Sequence, residues 1–213
     1  MGDNTSHNSL FPAPNIKSSR LWAGKTIGIL GGSFNPVHEG HIHISKQALA
    51  NLPIDALWWS FTPGNPFKTH ISMPSTAQRI ATAAKHIHDP RIILTDIEAQ
   101  MGVQRTYQFG KALDYYFPNT RFIWIGGMDL PEQFHHWGKW KSVITSFPIV
   151  FFKRPPYKGT LKRIPIKILQ SAEHVYHLPK AASLFQKNHI YWALQGSALK
   201  ASSTAIRAAE GKV

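Results

Sequence analysis

The chain has 213 residues, no cysteine and a formal charge of +13, with twelve further histidines. That length fits one ordinary domain with a core of real size, and the missing cysteine excludes a disulfide framework, a thiolate metal site and a cysteine nucleophile. The basic balance favours anionic partners such as nucleotides, nucleic acid or acidic metabolites, and no run of about 18 apolar residues offers a membrane span. Residues 1–24 hold turn formers with little periodicity and read as a flexible N-terminal extension, anchored by Leu21 and Trp22. They contain no apolar core of a secretory signal, so the expected compartment is cytoplasmic. Regular structure starts at Lys25. "KTIGIL" reads as a buried strand, and "HEGHIHISKQALANL" carries apolar residues near helical spacing. "ALWWSFTP" is a second strand, and "PSTAQRIATAAKHI" opens as a helix with Pro74 at its start. "RIILTDI" is a third strand, "TYQFGKALDYYF" a helix weakened by Gly110, and "RFIWIGG" a fourth strand. "PIVFFKRP" and "HIYWAL" are a fifth and a sixth strand, and "SSTAIRAAEG" is a short capped helix. The segment 161–188 gives no firm element: it holds either a helix at the rim of a site or structural cover.

Strands and helices alternate, and the strands are continuous apolar runs. This pattern predicts an α/β fold, a doubly wound parallel sheet with helices on both faces. Ligands of such sheets bind at the carboxyl ends of the strands. Here those ends are Gly31-Gly32, Thr62-Pro63, Asp96, Gly126-Gly127 and Lys153-Arg154, rich in glycine and charge.

The densest chemistry lies in "GILGGSFNPVHEGHIHIS", residues 28–45. The order Gly28, Gly31, Gly32, Gly40 does not make the G-x-G-x-x-G dinucleotide fingerprint, no lysine follows Gly40 as a P-loop requires, and Ile42 stands where a zincin needs its second histidine. A helix starting near His38 places His38 and His41 on one face of its first turn, beside free N–H groups and the positive end of the helix dipole. Gly31 and Gly32 are then expected to let a phosphate approach the preceding backbone. His43 lies away from this pair and is given no catalytic part.

"GGSFNPVHEGH" resembles the signature of the HxGH nucleotidylyltransferases, which join a nucleotide to a phosphate-bearing acceptor. "SSTAIR", Ser202 to Arg207, resembles that superfamily's second motif. "GGMDLPEQFHHWGKW" is similar to a segment of the bacterial nicotinate-nucleotide adenylyltransferases, with Gly127, Asp129 and Trp137 matching. "TPGNPFK" resembles the loop after their second strand, and "KRPPY" their R-P-G-Y, with Pro156 replacing glycine. Where that family reads Y-T-x-x-T, this chain has Arg105, Thr106 and Phe109, so only Thr106 matches. The resemblance runs from Lys25 to Arg207, within 25–213 as one nucleotidylyltransferase domain of Rossmann-like fold.

The resemblance implies adenylyl transfer from ATP to nicotinate mononucleotide, giving deamido-NAD and pyrophosphate, in NAD biosynthesis. It implies His38, His41 and Arg207 as catalytic residues. The ATP site would be formed by Gly31, Gly32, Ser33, Phe34, His38, His41, Gly127, Asp129, Ser202, Ser203, Thr204 and Arg207. Nicotinate mononucleotide would meet Asn65, Lys68, Thr106, Trp137 and Arg154, with Trp137 stacked on the pyridine ring. Mg²⁺ would come with ATP, held mainly by substrate and water, and no metal ligands are assigned to the protein. Another acceptor within the superfamily, pantetheine phosphate or a cytidylyltransferase substrate, stays open, as does nicotinamide in place of nicotinate. A basic nucleic-acid-binding protein is the alternative of another class. Its cations are scattered and no nucleic-acid-binding motif appears, so neither nucleic acid nor membrane is expected as a partner, and the oligomeric state is open.

Overall fold

The computed structural model describes residues 8–63, 73–153 and 164–194. Among the described residues, seven strands form one sheet: β1 (Thr26–Gly32), β2 (Ala56–Phe61), β3 (Ile92–Thr95), β4 (Arg121–Gly127), β5 (Ile149–Phe152), β6 (Glu173–Val175) and β7 (His189–Ala193). Their order is β3-β2-β1-β4-β5-β7-β6, and every neighbouring pair is parallel. The chain therefore winds outward from β1 in one direction, then returns to β4 and winds outward in the other. The reversal leaves a crevice between β1 and β4 at the carboxyl edge of the sheet, the place where such folds bind ligands.

Both faces of the sheet are buried, as the unbroken apolar runs require. Successive residues turn to opposite sides. Ile29, Trp58, Trp124, Phe151 and Trp192 enter one core, while Leu30, Trp59, Ile125, Phe152 and Tyr191 enter the other. The first core is closed by α4 (Thr106–Tyr116), through Phe109 and Leu113, and by α6 (Trp140–Ser146), through Val143 and Ile144. The second is closed by α1 (Glu39–Asn51), through Ile44, Ala48 and Leu49, and by α2 (Thr76–Ala84), through Ala83. Short helices α3 (Ile97–Gln100), α5 (Leu130–Phe134) and α7 (Ile166–Leu169) complete the connections. Gly110 does not weaken α4 to no purpose: a Cβ there would stand 2.6 Å from Ser146 Cβ, so the glycine is what lets α4 lie against α6.

The stretch expected as a flexible N-terminal extension is described from residue 8 and meets the core at Trp22. Asn15 caps a 3₁₀ helix, Ile16–Trp22, accepting from the Lys17 N–H. The Trp22 indole is buried edge-on against Trp58 with Phe11 beside it, while Leu21, the other expected anchor, is exposed. One large aromatic does the burying, so no periodicity marked the segment. A seventh strand, β6, lies inside the segment that gave no firm element. It pairs with β7 at the sheet edge over only three residues, too short and too polar to show as an apolar run. The short helix expected at "SSTAIRAAEG" lies outside the described residues.

Candidate active site

β1 ends at Gly31 and Gly32 beside the end of β2, where Ser60 and Phe61 are their partners, and beside β4, where Leu30 pairs with Ile125. The chain then turns through Ser33, Phe34 with φ 47°, and a cis Asn35–Pro36 bond to reach α1. Phe34 is buried, its ring stacked on Trp59 at 4.7 Å and packed on Phe61 at 4.6 Å.

His38 is the N-cap of α1, and His41 is the third residue of that helix. His38 Nδ1 accepts the Gly40 N–H at 3.1 Å, and His41 Nδ1 accepts the His38 N–H at 3.3 Å. The two rings stack 3.7 Å apart. With Nδ1 an acceptor, each neutral imidazole carries its proton on Nε2, which makes both rings donors at that atom. His41 is further held by Phe34 at 4.8 Å, and through its carbonyl by the Ser45 hydroxyl, which in turn accepts from Trp59 Nε1. The shared face expected for His38 and His41 is thus present and tighter than spacing alone required. Of the first-turn amides, the N–H groups of His38 and Gly40 go to the imidazoles, and that of His41 goes to the His38 carbonyl.

The glycines also meet a packing requirement. A Cβ on Gly31 would lie 2.7 Å from Trp124 Cη2, and one on Gly32 would lie 3.3 Å from Phe34. The same Trp124 meets Trp137 edge-on at 6.4 Å, so an indole bridges the β1 turn to the residue expected at the pyridine. Trp137 is half-buried between α5 and α6, packed on Phe134 as well. Gly127 is buried at the end of β4, and Asp129, half-buried, stands at the start of α5 without capping it. Thr106 opens α4, and its neighbour Tyr107 lies under the Lys139 ammonium at 5.1 Å, two residues beyond Trp137. The structure therefore brings Gly31, Gly32, Ser33, Phe34, His38, His41 and Gly127 to one crevice edge, with Trp137 and Thr106 on its β4 side. Asn65, Lys68, Arg154, Ser202, Ser203, Thr204 and Arg207 lie outside the described residues.

Two residues of this edge were missed in the sequence. Arg79, on α2, is buried and reaches the Ser33 and Thr62 carbonyls, with desolvation lowering its pKa. A signal existed: it lies four residues before the buried Ala83, on the same helical face. Glu98, on α3, is buried and accepts the Ser60 hydroxyl at 2.7 Å. Burial pushes its pKa up to about 7, with the Ser60 hydrogen bond pulling the other way. No sequence pattern marks it.

The cytidylyltransferase-like family model matches residues 29–209, which spans both the crevice and the C-terminal "SSTAIR". The chain belongs to the cytidylyltransferase-like family. Among members of this family it is 42% identical over 142 residues to the "Probable nicotinate-nucleotide adenylyltransferase" of Parvibaculum lavamentivorans, covering 67% of this chain and 70% of that one. It is 36% identical over 183 residues to the protein of the same name from Agrobacterium fabrum, covering 85% and 97%. Its recognised place in the family is thus among nicotinate-nucleotide adenylyltransferases. The fold matches that of the Plasmodium falciparum nicotinic acid mononucleotide adenylyltransferase complexed with NaAD, with a TM-score of 0.63 at 22% identity, over 86% of this chain and 83% of that one.

Among the described residues no helix is long and apolar enough to cross a membrane, and no three His, Asp or Glu side chains converge as a metal site. The donors at the crevice, two imidazoles with Nδ1 engaged, suit phosphoryl oxygens better than a hard cation.

Proposed function

We propose that the chain transfers the adenylyl group of MgATP to nicotinate mononucleotide, releasing pyrophosphate and forming deamido-NAD. The observation that carries the reading is the stacked His38–His41 pair, with both Nδ1 atoms committed to the start of α1, at the crevice where β1 and β4 part. The names of the similar proteins support the same reaction.

An oxygen of the mononucleotide 5′-phosphate attacks the α-phosphorus of ATP. A new P–O bond forms as the bond from that phosphorus to the β-phosphate bridge breaks, and the electron pair leaves on pyrophosphate. The attacking phosphate is already an anion, so no strong base is needed and the protein's part is positioning and charge stabilisation. His38 and His41 donate from Nε2 to the α-phosphate oxygens, where charge develops. Arg207 and the hydroxyls of Ser202, Ser203 and Thr204 are assigned to the leaving phosphates, Asn65, Lys68 and Arg154 to the mononucleotide phosphate, and Thr106 to the nicotinate carboxylate. Asp129 faces the nucleoside side with Gly127, and Trp137 offers an indole face to the pyridine, which the electron-poor ring favours. Mg²⁺ enters as part of the substrate, neutralising phosphate charge.

Pyrophosphate release from ATP, measured with nicotinate mononucleotide, nicotinamide mononucleotide and pantetheine phosphate in parallel, tests the reading. Turnover fastest with nicotinate mononucleotide is expected. No pyrophosphate with any of the three acceptors overturns it, and a preference for either of the others moves the acceptor.

A further inference from the structure

Arg79 is only 3% exposed, and its hydrogen-bonding partners among the described residues are neutral oxygens. Nη1 donates to the Ser33 carbonyl at 2.6 Å. Nη2 donates to the Thr62 carbonyl at 2.9 Å and to the Thr76 hydroxyl at 2.8 Å, and Nε to the Pro74 carbonyl at 3.0 Å. A buried cation facing carbonyls is poor value for stability, since an apolar side chain of similar volume would fill the space without desolvating a charge. Geometry explains it better. The guanidinium is a planar fork of donors, and here it spans two carbonyls that belong to different strands' exits: the turn after β1 and the residue after β2.

Two of the Arg79 contacts, the Ser33 carbonyl and the Phe61 ring, lead to the histidines. Ser33 precedes Phe34, whose ring packs on His41 at 4.8 Å. The guanidinium also sits over the Phe61 ring at 5.8 Å, and Phe61 packs on Phe34. Phe34 stacks flat on Trp59, whose Nε1 donates to Ser45, whose hydroxyl donates to the His41 carbonyl. Through these contacts the guanidinium fixes both the backbone and the ring of the turn on which His41 rests.

We propose that Arg79 is a positioning residue for the transfer, clamping the turn after β1 to the exit of β2 so that the His38–His41 pair is held at the α-phosphate. This rests on the adenylyl-transfer reading above. A lysine keeps the charge and most of the stem, but a single ammonium cannot reproduce the fork.

Arg79→Lys and Arg79→Gln test it, read by steady-state kinetics, near-ultraviolet circular dichroism and amide hydrogen exchange without substrate. The Lys variant is expected to keep its near-ultraviolet spectrum while kcat falls about 10- to 100-fold, as misplacement of about an ångström at a reacting centre can cost. KM for ATP should stay within about threefold, because the loss falls on contacts made in the transition state. Amides of residues 34–41 should exchange at least about tenfold faster, with those of β4 and β5 unchanged. Arg79→Gln should lose at least as much kcat as the Lys variant. A Lys variant with kcat within twofold of wild type overturns the role. So does a raised KM with kcat intact, or exchange that rises across the whole sheet with loss of the near-ultraviolet signal, since general destabilisation then suffices. Wild-type protein that releases no pyrophosphate sinks the functional reading itself, whereas an active wild type beside a fully active Lys variant sinks only the clamp.

Discussion

Replacing Glu98 by Gln should make the protein more stable at neutral pH and change how its stability depends on pH. The carboxyl is buried on α3 with the Ser60 hydroxyl as its hydrogen-bond donor, and its pKa is pushed from an ordinary 4.5 to about 7, chiefly by desolvation. Between those two values the folded chain keeps a proton that the unfolded chain has released. The unfolded state binds fewer protons there, so stability falls as pH rises, starting near 4.5 and levelling above about 7. The displacement corresponds to about 3 kcal/mol between the two protonation states. Glutamine cannot ionise, yet its carbonyl can accept the same Ser60 hydrogen bond. Urea unfolding of wild type and Glu98→Gln at pH 4.5, 5.5, 6.5 and 8 isolates the group, because all other titrations cancel in the difference. The difference should move by about 3 kcal/mol in favour of the variant across that range, with unchanged denaturant slopes. A difference that stays constant within about 0.5 kcal/mol, or one that moves toward the wild type as pH rises, refutes the argument.

Gly31→Ala forces a methyl to within 2.7 Å of Trp124 Cη2 and should lower stability by about 1–3 kcal/mol, seen as a lower urea midpoint. His41→Ala should cut kcat by about 10²–10³ while costing only about 1 kcal/mol of helix capping, so a folded variant with full turnover would remove His41 from the chemistry. Trp137→Ala should raise KM for the mononucleotide about tenfold or more and leave KM for ATP nearly unchanged, as loss of a stacking platform worth about 1–3 kcal/mol predicts.

The fold was legible because its strands are buried on both faces. Runs such as "ALWWSF" and "RFIWIGG" show no in/out alternation, and a parallel sheet covered on both faces accounts for that. β6 escaped because an edge strand of three residues, Glu173–Val175, needs no apolar run. At the crevice, the spacing of His38 and His41 gave their shared face, but spacing carries no ring orientation. That both Nδ1 atoms turn back to cap α1 depends on the backbone of the preceding turn. Gly31 shows a second requirement that spacing does not carry: a Cβ there would meet Trp124, almost a hundred residues away. Glu98 was hidden because its partner, Ser60, comes from another strand, and Arg79 showed its buried helical face but not its partners, Ser33 and Thr62.

The neighbourhood of β1 and β4 also bears on the order in which the chain can assemble. Ile29 pairs with Trp58 across β1–β2, about 30 residues on, but with Trp124 across β1–β4, about 95 residues on. Closing the longer loop costs about 1 kcal/mol more chain entropy. The crevice is therefore built by one of the costlier encounters of the folding reaction, and the seating of the Trp124 indole on Gly31 is among the contacts that repay it. A chain with β1–β2–β3 and β4–β5–β7 formed but not yet joined would have much of its secondary structure and no crevice. Nucleotides that bind only the joined form should draw refolding chains past that point.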